Sequence, residues 1–219
     1  MENPVTLVGG ASVEKKLVKL ALSLAPIPLA ADGGAENLLA SGVSPRAVIG
    51  DMDSISSFSL AQIPPNCRFK ISEQNTTDFE KCLLNIAAPI FLCVGFLGGR
   101  TDHQMAAFSV ITRYAHKPCL LLGDRDVIFV VPPFLEIDLP IGTRVSLFPM
   151  GQLQILSEGL KWKTNGITFA PEGAIGTSNI STGVVRLTPS MPKMLIIIPS
   201  SQLSLAFQTL ISSQCWNSI

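Results

Sequence analysis

The segment Gly50-Asp51-Met52-Asp53-Ser54 carries two carboxylates where a sheet could present them to a ligand. It follows residues 46–49, a short apolar run that is typical of a buried strand. In extended backbone, residues i and i+2 point to the same side, so Asp51 and Asp53 can face one point. Two carboxylates that approach each other repel, and one takes up a proton unless a cation lies between them. Mg²⁺ is the natural cation because it prefers hard oxygen ligands and keeps waters and phosphate oxygens in its shell.

A purely structural interpretation of this segment stays open. A polar turn after a strand could place Asp53 or Ser54 as the N-cap of a following helix.

Three further aspartates follow predicted strands or begin predicted helices. Asp32 follows a short strand and precedes two glycines that would let backbone approach a ligand closely. Asp78 lies in the first turn of a predicted helix with Thr76 or Thr77 as its N-cap, and Asp102 follows a strand and a Gly-Gly-Arg sequence. An acid at a helix start, paired with Lys81 one turn later, would also explain Asp78 without any ligand. With Asp51 and Asp53 these residues would make one sheet edge strongly anionic, so we expect a metal ion and a cationic substrate there.

The elements that would position these residues alternate between strand and helix. Buried strands are predicted at 4–9, 28–31, 46–49, 68–71, 89–94 and 119–122, with helices between them and a loop at 56–66. This alternation predicts an N-terminal, doubly wound, mainly parallel α/β sheet domain over residues 1–125. The pattern then changes to short β-type runs at 127–131, 144–148, 154–156, 184–187 and 194–198, and one helix near 203–211. It predicts a C-terminal β-sandwich domain over residues 126–219.

The amino-acid composition and net charge argue against several classes of function. Hydrophobic residues make up 47% of the 219 residues, charged residues only 15%, and the formal net charge is zero. No electrostatic argument therefore favours nucleic acid or an anionic membrane as a partner, and no apolar run reaches the roughly 18 residues of a membrane span. The first residues lack a basic signal-peptide region, and the five cysteines show no metal or disulfide spacing. We expect a cytoplasmic protein with reduced, mostly buried thiols.

Six segments, in order, resemble the motifs of thiamine pyrophosphokinases. They are Asp32-Gly-Gly-Ala35, Gly50-Asp-Met-Asp-Ser54, Thr77-Asp-Phe-Glu-Lys81, Gly98-Gly-Arg-Thr-Asp-His103, Gly159-Leu-Lys-Trp162 and Thr177-Ser-Asn179. Taken alone, Trp162 is more often a core residue and Thr-Ser-Asn a turn. Together the six motifs are specific, and they cover nearly the whole chain.

The resemblance implies an activity and an assembly. Enzymes of this family transfer the pyrophosphoryl group of ATP to the hydroxyl of thiamine and release AMP, with Mg²⁺ as cofactor. The resemblance also implies a homodimer in which thiamine lies between the catalytic domain of one subunit and the sandwich of the other.

Residue roles follow from the same resemblance. It implies metal and catalytic roles for Asp51, Asp53 and Asp78, and catalytic roles for Arg100 and Asp102. It implies contacts near the nucleotide and thiamine for Asp32, Gln74, Thr77 and Lys81, and places in the thiamine pocket for Trp162, Ser178 and Asn179. Asn75 stands where the family often has an acid, so no carboxylate role is expected there.

Several alternatives remain open from the sequence. The thiamine hydroxyl could lose its proton to Asp102, to Asp32 or without a dedicated base. The nearest rival function is a pyrophosphokinase acting on another alcohol, such as a hydroxymethylpterin. A second rival is a metal-dependent nucleotide hydrolase that releases AMP without an acceptor. A third is a non-catalytic sensor of thiamine or of a nucleotide.

Overall fold

The structure is a computed structural model of the chain and describes residues 3–218. The chain forms two compact units. Unit 1 extends to Val110 and includes Leu121–Gly123, and unit 2 consists of Ile111–Leu120 and the chain from Asp124 onward.

Unit 1 is built on a parallel sheet. Its strands are β1 (Val5–Val8), β2 (Ile27–Ala31), β3 (Ala47–Gly50), β4 (Arg68–Lys70) and β5 (Phe91–Val94). They lie in the order β5-β1-β2-β3-β4, and every neighbouring pair is parallel. All residues of β1, β3 and β5 are buried, which is why these strands have continuous apolar sequences.

Helices connect the strands of unit 1. They are α1 (Lys15–Leu24), α2 (Gly34–Ala40), α3 (Ser57–Gln62), α4 (Asp78–Asn85) and α5 (Thr101–Arg113), with a 3₁₀ turn at Pro65–Cys67. The last three residues of α5 belong to unit 2. The prediction of a loop at 56–66 was wrong, because α3 lies within it. Ser56 caps α3, and its hydroxyl accepts a hydrogen bond from the Ser59 N–H.

The strand order of unit 1 reverses between β1 and β5. The chain adds β2, β3 and β4 on one side of β1, and β5 then pairs on the other side. Beyond this reversal, the Gly9 N–H donates to the Val94 carbonyl at 2.8 Å and the Ala11 N–H donates to the Gly95 carbonyl at 3.0 Å. Open α/β sheets bind ligands in the crevice outside the carboxyl ends of strands at such a reversal.

One glycine of the Asp32-Gly-Gly motif is explained by packing. A Cβ on Gly34 would lie 1.9 Å from the Val8 carbonyl oxygen, so only glycine lets α2 begin this close to β1. The close approach that the sequence assigned to a ligand is, at this position, an approach of helix to strand.

Unit 2 is mostly antiparallel. Its strands are β7 (Asp126–Val130), β8 (Leu135–Ile137), β9 (Arg144–Pro149), β10 (Leu153–Leu160), β11 (Thr168–Phe169), β12 (Gly176–Pro189) and β13 (Met194–Pro199). A 3₁₀ turn (Ser200–Gln202) and α6 (Leu203–Ser212) follow, and β6 (Cys119–Leu122) is divided between the units. The first part of β12 pairs with β9, and its later part pairs with β10 and β8. The chain thus combines a mixed sheet with helices, in agreement with the predicted α/β class.

All five cysteines are free thiols, and Cys82, Cys93 and Cys119 are buried. Within residues 3–218, no helix combines the length and apolar character needed to cross a bilayer.

Candidate active site

Three carboxylates converge where β2 and β3 end. One oxygen from each of Asp32, Asp51 and Asp53 lies within 4.8 Å of the other two. Asp32 is buried, Asp51 is half-buried and Asp53 is exposed, so the cluster opens to solvent on one side. Hard oxygen donors around an open position fit Mg²⁺, which retains waters and phosphate oxygens in its shell.

Gly50 allows these acids to approach one another. A Cβ at this position would lie 2.7 Å from the Asp32 Cβ and 3.1 Å from Oδ1 of Asp78. Any larger residue would therefore push Asp32 and Asp78 away from the end of β3.

Asp32 holds the loop that carries the other two acids, and we call residues 50–56 the carboxylate loop. Oδ1 of Asp32 accepts a hydrogen bond from the Met52 N–H at 2.9 Å, and Oδ2 accepts one from the Ser54 N–H at 3.2 Å. Asp32 and Met52 both have left-handed φ angles, 41° and 69°. Because such backbone is uncommon outside glycine, it requires support from the surrounding contacts.

The carboxylate of Asp51 is held in its ionised form. It accepts hydrogen bonds from the Asp53 N–H and from Nε2 of Gln74, both at 3.2 Å. These two donors, Asp53 first, lower the pKa of Asp51 below its ordinary value. The alternative that Asp53 or Ser54 caps the next helix is wrong, since α3 begins at Ser57 with Ser56 as its N-cap.

Asp78 and Lys81 form an ion pair beside this cluster. Thr77 caps α4, its hydroxyl accepting from the Glu80 N–H at 3.2 Å, which places Asp78 in the first turn. Nζ of Lys81 lies 3.1 Å from Oδ1 of Asp78, and the Lys81 side chain is only 3% exposed.

The pKa values of Asp78 and Lys81 are shifted by burial and by the charges around them. Burial raises the pKa of Asp78, and the charges of Asp32 and Asp51 raise it further against the opposing effect of Lys81. Burial alone would lower the pKa of Lys81, but its hydrogen bond to Asp78 and the nearby carboxylates outweigh burial and raise it. One ammonium does not balance the acids, so the cluster favours an added cation.

Arg100 and Asp102 contact each other on the surface. Nη2 of Arg100 lies 2.6 Å from Oδ2 of Asp102, and Nε lies 3.1 Å from Oδ1. Asp102 also accepts from the His103 N–H at 2.9 Å. Both side chains are largely exposed, and Asp102 is not a member of the three-carboxylate cluster. The guanidinium fork is the kind of donor that also binds phosphate.

In unit 2 the structure brings together Trp162 and Asn179. Oδ1 of Asn179 accepts from the Trp162 N–H at 3.1 Å, and its Nδ2 donates to the Trp162 carbonyl at 2.7 Å. Asn179 is 5% exposed whereas Trp162 is 53% exposed, so the interpretation of Trp162 as a core residue was wrong. We call the two hydrogen bonds between Asn179 and the Trp162 backbone the clamp. Ser178, the residue before Asn179, has a left-handed φ of 62°, and its N–H donates to the Ser146 hydroxyl at 3.0 Å.

The loop that presents Trp162 is also fixed on its other side. The Thr164 hydroxyl donates to the Ile155 carbonyl at 2.7 Å, and the Thr164 N–H donates to the Ser157 hydroxyl at 3.1 Å. Nζ of Lys161 lies 4.7 Å from the centre of the Trp162 ring. An exposed indole on a fixed loop is suited to stacking against a cation or a flat ring.

A further residue, Glu36, for which the sequence predicted no role, also holds the carboxylate loop. Glu36 accepts hydrogen bonds from the Ser56 N–H and from the Ser59 hydroxyl. The only sequence signal for Glu36 was its position one helical turn after Asp32.

Comparisons with known proteins identify one family that this chain resembles. The family model for the catalytic domain of thiamin pyrophosphokinase matches residues 18–126. Thiamine pyrophosphokinase 1 of Oryza sativa subsp. japonica is 31% identical over an alignment of 165 residues, gaps included, and the match covers 66% of this chain and 62% of that protein. Thiamine pyrophosphokinase 1 of Arabidopsis thaliana is 28% identical over an alignment of 191 residues, gaps included, and the match covers 71% of each chain. The chain thus spans about two thirds of the length of these relatives.

Solved structures share the fold. The thiamin pyrophosphokinase from Candida albicans has a TM-score of 0.75 at 18% identity, over 90% of this chain and 89% of that one. The thiamine pyrophosphokinase from Bacillus subtilis has a TM-score of 0.74 at 20% identity, over 90% and 98% of the two chains. At these identities the likeness concerns the fold alone.

Proposed function

We propose that the chain is a member of the thiamine pyrophosphokinase family and that it transfers the pyrophosphoryl group of ATP to the hydroxyl of thiamine. The products are thiamine diphosphate and AMP. The observation that carries this proposal is the convergence of Asp32, Asp51 and Asp53 within 4.8 Å beside the Asp78–Lys81 pair. A nucleotide–metal complex needs such an arrangement, and a helix cap does not.

Asp51 and Asp53 are the proposed metal ligands, with Asp78 beside them. Bound there, Mg²⁺ would neutralise phosphate oxygens and stabilise the charge that builds up on them during transfer. Asp32 contributes one oxygen to the same cluster, although both of its oxygens accept backbone hydrogen bonds. Its main role is to fix the carboxylate loop.

Two cations and two neutral groups complete the proposed phosphate site. Lys81 is buried against Asp78, so its ammonium has a fixed position from which to balance charge. The planar guanidinium of Arg100 can release the Asp102 carboxylate and bind phosphate oxygens in its place. Gln74 orients Asp51, and Thr77 sets the start of the helix that carries Asp78 and Lys81. The crevice beyond β1 and β5 is the proposed place of the nucleotide.

Asp102 is the better candidate to accept the hydroxyl proton. It is exposed, whereas Asp32 is 3% exposed with both oxygens engaged. Departure of the proton directly to solvent from a metal-activated hydroxyl would leave Asp102 with the role of orienting Arg100.

Thiamine is proposed to bind at Trp162, with Ser178 and Asn179 supporting that loop. The thiazolium ring is a permanent cation, which suits both an indole face and an anionic cluster.

We further propose a homodimer in which the unit 1 residues of one subunit and Trp162 of the other share thiamine. The division into a doubly wound domain over 1–125 and a β-sandwich over 126–219 belongs to the same proposal. The pairings of β12 support the sandwich, because its first part pairs with β9 and its later part pairs with β8 and β10. A cytoplasmic location fits the free thiols.

A substrate panel tests the proposed function against its rivals. The protein is incubated with ATP and Mg²⁺, alone or with thiamine or a hydroxymethylpterin, and the nucleotides are separated by chromatography. The proposal requires AMP to form only with thiamine. AMP formed with the pterin alone would favour the rival kinase, and AMP formed without an acceptor would favour a hydrolase.

A further inference from the structure

We propose that Glu36 is a positioning residue for the reaction: it fixes the far end of the carboxylate loop, as Asp32 fixes the near end, and so sets the separation of Asp51 and Asp53. The proposal rests on the proposed function, because it assigns those two aspartates to the metal. Glu36 is not one of the three carboxylates of the cluster, so it would act on the metal site through the loop.

The first evidence is the pattern of hydrogen bonds along the loop. Oδ1 and Oδ2 of Asp32 accept the N–H groups of Met52 and Ser54. Oε1 of Glu36 accepts the N–H of Ser56 at 2.9 Å. Every second N–H group of the loop from residue 52 to residue 56 is therefore bound by one of two acids, which lie four residues apart at 32 and 36. An acid that accepts backbone N–H groups forms charge-assisted bonds, which are stronger than neutral ones.

The second evidence is the link from Glu36 to helix α3. Its Oε2 accepts from the Ser59 hydroxyl at 2.5 Å, and Ser59 is 4% exposed. The Ser59 N–H in turn donates to the Ser56 hydroxyl at 3.1 Å. One carboxylate thus joins the last loop residue to the first turn of α3. The Ser59 hydroxyl lowers the pKa of Glu36, which keeps this carboxylate an ionised acceptor.

The third evidence is the placement of both acids at the start of α2. Asp32 precedes this helix and Glu36 lies in its first turn, four residues later, so both can face the same side. Gly33 lies between them, and a Cβ there would lie 3.2 Å from the Ser54 Cβ. The start of α2 therefore lies against the loop. Gly34 fixes that start against β1, since a Cβ there would lie 1.9 Å from the Val8 carbonyl oxygen.

Displacement of the loop would matter because Mg²⁺ demands nearly ideal octahedral geometry. Met52 has a left-handed φ of 69° between the two metal-facing aspartates, so the loop is held in a conformation it would not adopt freely. Residues that orient metal ligands from behind commonly change metal affinity by about tenfold or more when they are replaced.

The test compares Glu36→Ala with Glu36→Gln in the full chain. Alanine removes both contacts. Glutamine removes the charge but keeps the contacts, since its carbonyl accepts from Ser56 and its amide donates to Ser59. Glu14→Ala is the matched control, because Glu14 is an exposed acid of unit 1 whose ion-pair partner is Lys16. Ser59→Ala removes one of the two contacts without touching Glu36.

Two readouts do not depend on turnover. The dissociation constant of Mn²⁺, used as the probe, is measured by electron paramagnetic resonance without nucleotide, and amide exchange is followed in peptides covering residues 50–56. We expect Glu36→Ala to weaken Mn²⁺ binding about tenfold and to accelerate loop exchange about tenfold. Glu36→Gln keeps both contacts but loses their charge assistance, so it should lie between wild type and Glu36→Ala in both readouts. Ser59→Ala should change both readouts in the same direction as Glu36→Ala.

Unchanged Mn²⁺ affinity and unchanged loop exchange in folded Glu36→Ala would overturn the proposal. Equal impairment of Glu36→Gln and Glu36→Ala would also overturn it, since the charge and not the contacts would then matter. If Glu36→Ala does not fold, wild-type behaviour of Ser59→Ala in both readouts overturns the proposal. A wild-type protein that makes no thiamine diphosphate, while Mn²⁺ affinity and exchange respond as expected, would refute the proposed function and leave the positioning role of Glu36 standing.

Discussion

Asn179 holds the backbone of Trp162 through both atoms of its amide group, accepting from the Trp162 N–H at 3.1 Å and donating to its carbonyl at 2.7 Å. The amide is buried and the indole is half exposed. Asn179 therefore fixes the backbone from which the Trp162 indole extends into solvent.

The first prediction concerns this clamp. Asn179→Asp keeps the size of the side chain but replaces the donor to the Trp162 carbonyl with a second acceptor, which leaves that carbonyl unpaired. We expect a rise of about tenfold in the KM for thiamine with a smaller change in kcat, and a shifted tryptophan emission. Asn165→Asp, in the same loop, is the matched variant, since its Oδ1 acceptor contact with the Ser157 N–H survives the change. An unchanged KM in Asn179→Asp would separate the clamp from thiamine binding.

The second prediction concerns the central pair of acids. Asp51→Asn and Asp53→Asn should each lower kcat by at least about 100-fold because each removes the charge of a proposed metal ligand. Both residues lie at the open side of the cluster, so the midpoint of thermal unfolding should change little. Asp138→Asn, an exposed acid of unit 2, serves as the control. Near-normal turnover of both variants at limiting Mg²⁺ would reduce the segment to a structural turn.

The third prediction is a pH dependence of stability that arises from Asp78. Burial raises its pKa in the folded state, so both states hold the proton below the unfolded value of about 4. As the pH rises from this value to the higher folded-state pKa, Asp78 ionises first in the unfolded chain, which stabilises the unfolded state. The free energy of unfolding of wild type therefore falls relative to that of Asp78→Asn. Urea unfolding without metal, at about pH 4 and about pH 7, measures this difference. The advantage of the variant should grow with pH, and a constant or shrinking advantage would contradict the assigned shift.

The residues that the sequence could locate are those whose placement follows from local pattern. Asp32 and Asp51 come directly after apolar runs that form β2 and β3, and parallel strands bring such ends together. Thr77 was identifiable as an N-cap because a hydroxyl there satisfies a free N–H of the first turn. These rules act over a few residues, and tertiary contacts do not alter them here.

Other features depend on contacts between distant residues and could not be predicted. The left-handed φ angles of Asp32, Met52 and Ser178 carry no glycine signal, and their support comes from partners far along the chain. The six residues of α3 are too few to show helical periodicity, and Ser56 as a cap was the only local signal. The exposure of Trp162 follows from its clamp to Asn179, 17 residues later.

The fourth prediction tests whether each active site is built from two subunits. Asp53→Asn and Trp162→Ala lie in different units of the chain, and each should be nearly inactive as a homodimer. When the two variants exchange subunits, a two-fold heterodimer has one site with both lesions and one with neither. Activity should then return to about half of wild type per heterodimer. Demonstrated exchange without recovery would mean that each site is built within one chain.

The most direct test of the central claim follows both transferred phosphorus atoms. ATP radiolabelled separately at the β or the γ phosphorus is incubated with the protein, Mg²⁺ and thiamine, with Asp51→Asn as the control. Pyrophosphoryl transfer predicts that the β label and the γ label each appear in thiamine diphosphate in equal amounts, with one AMP formed for each thiamine consumed and at least about 100-fold less product from the variant. Formation of ADP with thiamine monophosphate, or of AMP without thiamine, would contradict the account.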